Sequence, residues 1–220
     1  MGTRLLPSRA QRRGQGDRLV SCIFNQAGGA GPCAATTGVL MSAAQICRIG
    51  AAVALLSVSA MVKVPLGPVP FTLQTLVLAM LPPILGGRGA VSAVGLYLLV
   101  GALGLPVFSG FSGGVGHLIG PTGGFLWGFL LGTALGAPLL RLRTLPESAR
   151  HAICAVVMLA TSYALGTAQL AAYLSVSLPA AALSAVVPFV LPDVIKLGVG
   201  VAAGLRVRHA LGGPSALTSA

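Results

Sequence analysis

Residues 190–200 read VLPDVIKLGVG. A carboxylate at Asp193 and an amine at Lys196 stand inside an otherwise apolar run, with Pro188 and Pro192 ahead of them. The run extends from about 179 to 205, which as a helix is long enough to cross a bilayer. A charge at the bilayer centre costs roughly 2.5–3.5 kcal/mol on insertion scales. The i,i+3 spacing places both side chains on one helix face. Two readings follow: an internal ion pair, or a ligand site offering an acceptor and a cation together. The prolines favour the second, because they withdraw backbone donors and are expected to interrupt the helix just ahead of the pair, as in membrane binding sites.

The rest of the chain makes a membrane the setting. Of 220 residues, 55% are hydrophobic and 8% are charged, with a mean hydropathy of +0.92, whereas soluble domains carry about 25% charged residues. One small core cannot hide so much apolar surface, so the class is an all-α integral membrane protein. Six apolar segments follow one another, at about 43–62, 71–86, 89–105, 122–140, 151–176 and 179–205. The second and third are short for a straight crossing of about 20 residues, and the second contains Pro82 and Pro83.

Arginine placement decides the topology. With the N-terminus in the cytoplasm and six helices threaded, the cytoplasmic segments are the N-terminal tail, the turn at 86–89, the loop 141–150 and the C-terminus. All twelve arginines then fall on the cytoplasmic side, with Arg48 close enough to snorkel. Lys63 is the only basic residue opposite. The expectation is a six-transmembrane-helix bundle at 43–205, both termini cytoplasmic, flanked by a basic disordered tail at 1–42 and a cytoplasmic tail at 206–220.

Other classes fit poorly. The net charge of +11 comes from arginines scattered singly between apolar runs, with aromatics at only 5%, so no nucleic-acid face is expected. The four cysteines form no CxxC pair, and no metal site or disulfide framework is read from them. Neither lysine belongs to a phosphate-binding glycine loop, so the chain is not expected to bind ATP itself. No convincing serine–histidine–acid set exists, and nothing points to an enzyme.

Several polar or glycine-rich features remain. Gly120, Gly124, Gly128, Gly132 and Gly136 recur every fourth residue, which predicts a close-packed helix seam, internal or against a second protein. Gly50 and Ala54 form a smaller pair in the first segment. VKVPLGPVPFTLQTL (62–76) carries Pro65, Pro68 and Pro70 and predicts a stiff, extended loop before Gln74, one turn into the next helix. GLPVFSGFSGGVGHLIGPTGG (104–124) predicts a long non-helical binding loop or lid. His117, within it, lacks partners for metal ligation. Gln74, Tyr97, Tyr163, Gln169 and Tyr173 stay open between interhelical hydrogen bonds and ligand contacts, with the last three read chiefly as structural.

KVPLGPVPFTLQTL (63–76), YLLVGALGLPVF (97–108), GPTGGFLWGFLLG (120–132) and PDVIK (192–196), in that order, resemble the BioY family. Its members are biotin-specific substrate-binding (S) components of energy-coupling factor transporters. The resemblance covers about 43–205 and implies a cell-membrane protein that captures biotin for ATP-driven uptake. Two outer loops would form the lid. By resemblance, Asp193 accepts the ureido N–H groups of biotin and Lys196 meets its valerate carboxylate. Gln74, Tyr97, Phe108 and Thr122 would line the site. The asparagine or arginine that some members carry in the central loop is absent from 104–124. The implied partners are a transmembrane coupling (T) subunit and ATP-binding subunits, with Gly50 and Ala54 as the docking face. No cofactor binds directly, since ATP is used by the partners. The rival readings are a stand-alone biotin permease and a non-transporting structural membrane protein.

Overall fold

The computed structural model describes residues 43–65, 69–142 and 144–211. The basic tail at 1–42 and the last nine positions lie outside the described residues. The elements are helix α1 (Ala43–Met61), strands β1 (Lys63–Pro65) and β2 (Pro70–Thr72), α2 (Gln74–Ala102), α3 (Val115–Ile119), α4 (Gly123–Gly136) with a 3₁₀ turn (Ala137–Arg141), α5 (Glu147–Leu174), α6 (Leu178–Ala185) and α7 (Val187–Ala210). Five of the helical stretches are long and apolar enough to cross a membrane. Their outward faces carry large apolar side chains, among them Leu99, Leu135, Val156, Leu191 and Ile195. Such an exterior is suited to hydrocarbon, where helices satisfy their backbone groups internally.

α2 is a hairpin. Gln74 and Tyr97 would stand about 34 Å apart on a straight helix at 1.5 Å per residue, yet their side chains meet at 2.7 Å. The chain doubles back at Gly86, whose φ of 71° and ψ of 173° break the helix. That conformation suits glycine, which has no Cβ to clash. Pro82 and Pro83 lie inside the first arm without ending it.

The glycine seam is internal. A Cβ on Gly124, Gly128, Gly132 or Gly136 would meet Leu165 and Gln169, Ser162, Met158 or Cys154 of α5 respectively. Four glycines thus bring the α4 backbone directly against the α5 backbone, where lipid offers no hydrophobic drive and contact distance supplies the attraction. Gly120 stands apart, its neighbours being Gly116 and His117 of α3. Gly200 and Gly204 of α7 repeat the device against Leu76, Ala79, Met80 and Pro83 in the first arm of α2. Leu56, Leu78, Ala90, Val94, Tyr97 and Leu126 belong to the main core.

Three expectations change. The chain is mostly but not wholly helical, because the proline-rich loop pairs β1 with β2, Val64 opposite Phe71. The segment 104–124 is not wholly irregular, since it contains α3 and a Phe108–Ser112 bridge. The break in the last apolar run falls at Val186 (φ −118°, ψ −53°), ahead of both prolines. Pro188 then occupies the first turn of α7, where an N–H has no helical partner. Pro192 sits inside that helix, which continues through it.

Among the described residues, Arg88, Arg141, Arg150 and Arg208 gather at one end of the bundle. Gly87 packs against Ala137 of the 3₁₀ turn, Arg150 donates to the Leu140 carbonyl at 3.0 Å, and Arg208 pairs with Glu147. The hairpin turn beside Arg88, the turn ending at Arg141, and the α5 start and α7 end are therefore neighbours. The strands, the 103–122 loop and α6 occupy the other end.

Candidate functional site

A cavity of about 70 Å³ opens among β2, α2, the central loop, α4, α5 and α7. Occupied small-molecule sites run to roughly 300–1,000 Å³, so the walls must part to admit a ligand of that class. Its wall is aromatic and aliphatic, with Phe71, Phe108, Phe125, Phe129 and Phe189 prominent. Its polar groups converge from several elements, Thr72, Gln74, Thr122, Tyr163, Asp193 and Lys196 among them.

Asp193 and Lys196 lie on one face of α7 and are 6% and 7% exposed. They form a closed pair, Nζ to Oδ1 at 2.8 Å. Each is held by further elements. Oδ1 also accepts from Thr75 Oγ1 at 3.0 Å, and Oδ2 accepts from the Tyr163 hydroxyl at 2.7 Å. Lys196 donates to the Thr72 carbonyl at 2.7 Å and lies 3.5 Å from the centroid of the Phe71 ring. Phe71 in turn stacks on Phe189 at 6.1 Å. A buried charge pair is tolerated when its remaining protons and lone pairs are satisfied, and the lysine's are nearly all engaged. The carboxylate keeps accepting capacity at Oδ2, since an ionised carboxylate has about four acceptor sites.

The two sequence readings of this pair therefore merge. The side chains do balance each other, as the ion-pair reading has it. Yet both line the cavity, where a ligand can add to or exchange with their partners. The pair contributes no net charge to the site.

Of the other expected lining residues, Gln74, Phe108 and Thr122 face the cavity. Tyr97 does not. Its hydroxyl accepts from Gln74 Nε2 at 2.7 Å and donates to the Val107 carbonyl at 3.0 Å, and its ring sits edge-on to Phe108 at 5.5 Å. It is a buried layer behind the wall, because spacing reveals a helix face but not what stands in front of it. Gln74 opens α2 rather than lying a turn inside it.

Sequence reasoning understated other groups. Tyr163 was read as structural, yet it holds Asp193 from a third helix. Thr75, beside Gln74, gave no signal beyond its place at the start of an apolar helix. His117 faces the cavity, stacks on Phe108 at 6.0 Å and has Nε2 2.8 Å from Ser112 Oγ. Gln169 is structural, donating to the Leu118 and Gly120 carbonyls at 3.2 and 2.7 Å. Tyr173 is exposed. Gly50 and Ala54 lie on the open face of α1, and a Cβ at Gly50 would meet nothing within 4 Å.

Comparison with known proteins places this arrangement. The chain is 40% identical over 164 residues to the biotin transporter BioY of Thermotoga maritima, covering 74% of this chain and 95% of that one. It is 33% identical to the probable biotin transporter BioY of Pyrococcus horikoshii, covering 76% and 98%. Its fold matches the crystal structure of the S-component for biotin from an ECF-type ABC transporter, with a TM-score of 0.69 at 24% identity, covering 76% and 91% of the two chains. The family model described as BioY matches residues 34–213, and with it the chain belongs to the BioY family.

Proposed function

We propose that this protein captures biotin at the membrane as the substrate-binding component of an ECF-type vitamin transporter. The observation that carries the reading is the buried Asp193–Lys196 pair lining an aromatic cavity. A ureido ring offers N–H donors and a carbonyl acceptor at one end of biotin, with a carboxylate at the other. Oδ2 of Asp193 has room for the first, and Lys196 answers the carboxylate on exchanging one of its neighbours. Gln74, Phe108 and Thr122 complete the polar and apolar lining, and the aromatic wall covers the ring system. The named relatives that share this sequence favour biotin over other vitamins.

The hairpin at Gly86 supports six crossings rather than five, its two arms counted separately. An even number puts both ends of the chain on one side of the cell membrane. The gathering of arginines at the end away from the cavity makes that side the cytoplasm. Biotin then enters from outside, at the end of the bundle that carries β2 and the central loop. Energy comes from a transmembrane coupling subunit and ATP-binding subunits, which meet the open small-residue face at Gly50 and Ala54 and supply the ATP chemistry. The basic tail at 1–42 belongs to the cytoplasmic side in this arrangement.

Reconstitution tests the division of labour. Purified chain in liposomes is expected to bind biotin without sustained accumulation, and uptake is expected once coupling and ATP-binding subunits are added with ATP. Sustained uptake by the chain alone would instead favour the stand-alone permease.

A further inference from the structure

The two outer loops are tied together by a buried relay. Lys196 Nζ donates to the Thr72 carbonyl at 2.7 Å, and Thr72 Oγ1 donates to Gln74 Oε1 at 3.2 Å. Gln74 Nε2 donates to the Tyr97 hydroxyl at 2.7 Å, and that hydroxyl donates to the Val107 carbonyl at 3.0 Å. Thr72 belongs to the first outer loop and Val107 to the second. Lys196, Thr72 and Gln74 face the cavity, whereas Tyr97 is 1% exposed behind it.

The second loop is also held by Gln169, which donates to the Leu118 and Gly120 carbonyls, and Lys63 of β1 lies against Gly110. The loop's root is fixed to the end of α2 by the Gly114 N–H on the Gly101 carbonyl at 2.7 Å and by the Phe108 ring, which occupies the space a side chain on Gly101 would need. Tyr97 supplies a hydrogen-bonded link from this loop toward Thr72 and the charge pair. A hydroxyl that accepts one bond and donates another passes the position of one partner to the next.

We infer that Tyr97 is a positioning residue, which makes both outer loops settle together when a ligand is held against Gln74 and the Asp193–Lys196 pair. It touches no ligand itself. The inference rests on the biotin-binding reading above.

Amide hydrogen exchange on the full chain in lipid nanodiscs, with and without biotin, tests it. In the unaltered protein biotin is expected to slow exchange at 71–73 and at 107–112 together. Tyr97→Phe keeps the ring against Phe108 and removes only the hydroxyl. In that variant biotin still slows exchange at 71–73, while the slowing at 107–112 falls by about tenfold, the effect of one lost buried hydrogen bond. A purely structural role would speed exchange in both ligand states and leave the biotin-dependent difference intact, and that result would overturn the inference. Gln74→Met cuts the relay one bond earlier and leaves the Tyr97–Val107 bond; because Gln74 also faces the cavity, it is read at saturating biotin if Tyr97→Phe does not fold, with the same loss of slowing at 107–112 expected. If the unaltered protein shows no response to biotin at all, the binding reading fails first.

Discussion

Asp193→Asn is expected to weaken biotin binding by about a hundredfold or more while leaving the protein folded, measured by titration in detergent or nanodiscs. The estimate follows from breaking one member of a buried, hydrogen-bonded charge pair, which costs about 2–5 kcal/mol in measured interfaces. Three donors converge on this carboxylate, from Thr75, Tyr163 and Lys196. An amide of the same shape accepts at one atom only and turns an N–H toward one of them. Lys196 then stands buried with a neutral partner, its carbonyl contact at Thr72 and the Phe71 ring still in place. Asp193→Leu is expected to do worse, because an uncompensated buried ammonium costs stability as well as binding. Binding within threefold of the unaltered protein in Asp193→Asn would remove this residue from the site.

The second large effect belongs to the glycine seam. Gly128→Leu is expected to lower the melting temperature by about 10 °C or to prevent folding, because overpacking costs at least ~3 kcal/mol where the neighbour cannot move. The neighbour here is backbone: a Cβ at residue 128 would collide with Ser162 Cα. α4 would have to leave α5, taking with it the bond from Ser162 Oγ to the Phe125 carbonyl and the cavity wall at Phe125 and Phe129. Gly198→Ala is the control, since a Cβ there meets nothing within 4 Å and alanine is the better helix former. Equal melting temperatures for Gly128→Leu and the control would mean that the two helices do not meet along this line.

How much of this was legible in the chain differs from residue to residue. The glycines at spacing four announced a helix seam, since repetition at that period has few other uses in an apolar helix. What they could not announce was the partner, which required α5 to be placed. The doubling back of 74–102 is invisible to hydropathy, because both arms are apolar, but Arg88 beside Gly86 and Gly87 marked a turn. The break at Val186 had no such mark: no glycine stands there, and the nearby prolines drew attention to the wrong residues. The charge pair was legible as a feature and not as a state. Its closure depends on Thr72, Thr75 and Tyr163, drawn from three other elements. Tyr97 shows the same limit, its role being set by Gln74 and Phe108 in front of it.

The account turns on Asp193 and Lys196 forming, with the aromatic wall, a site for one small vitamin. Isothermal titration of the purified full chain with biotin, alongside Asp193→Asn and Lys196→Ala, reads that claim most directly. The expected result is saturable one-to-one binding that is lost or sharply weakened in both variants while their melting curves keep a cooperative transition. A folded protein that takes up no biotin, or one that binds it equally well without either side chain, would contradict it.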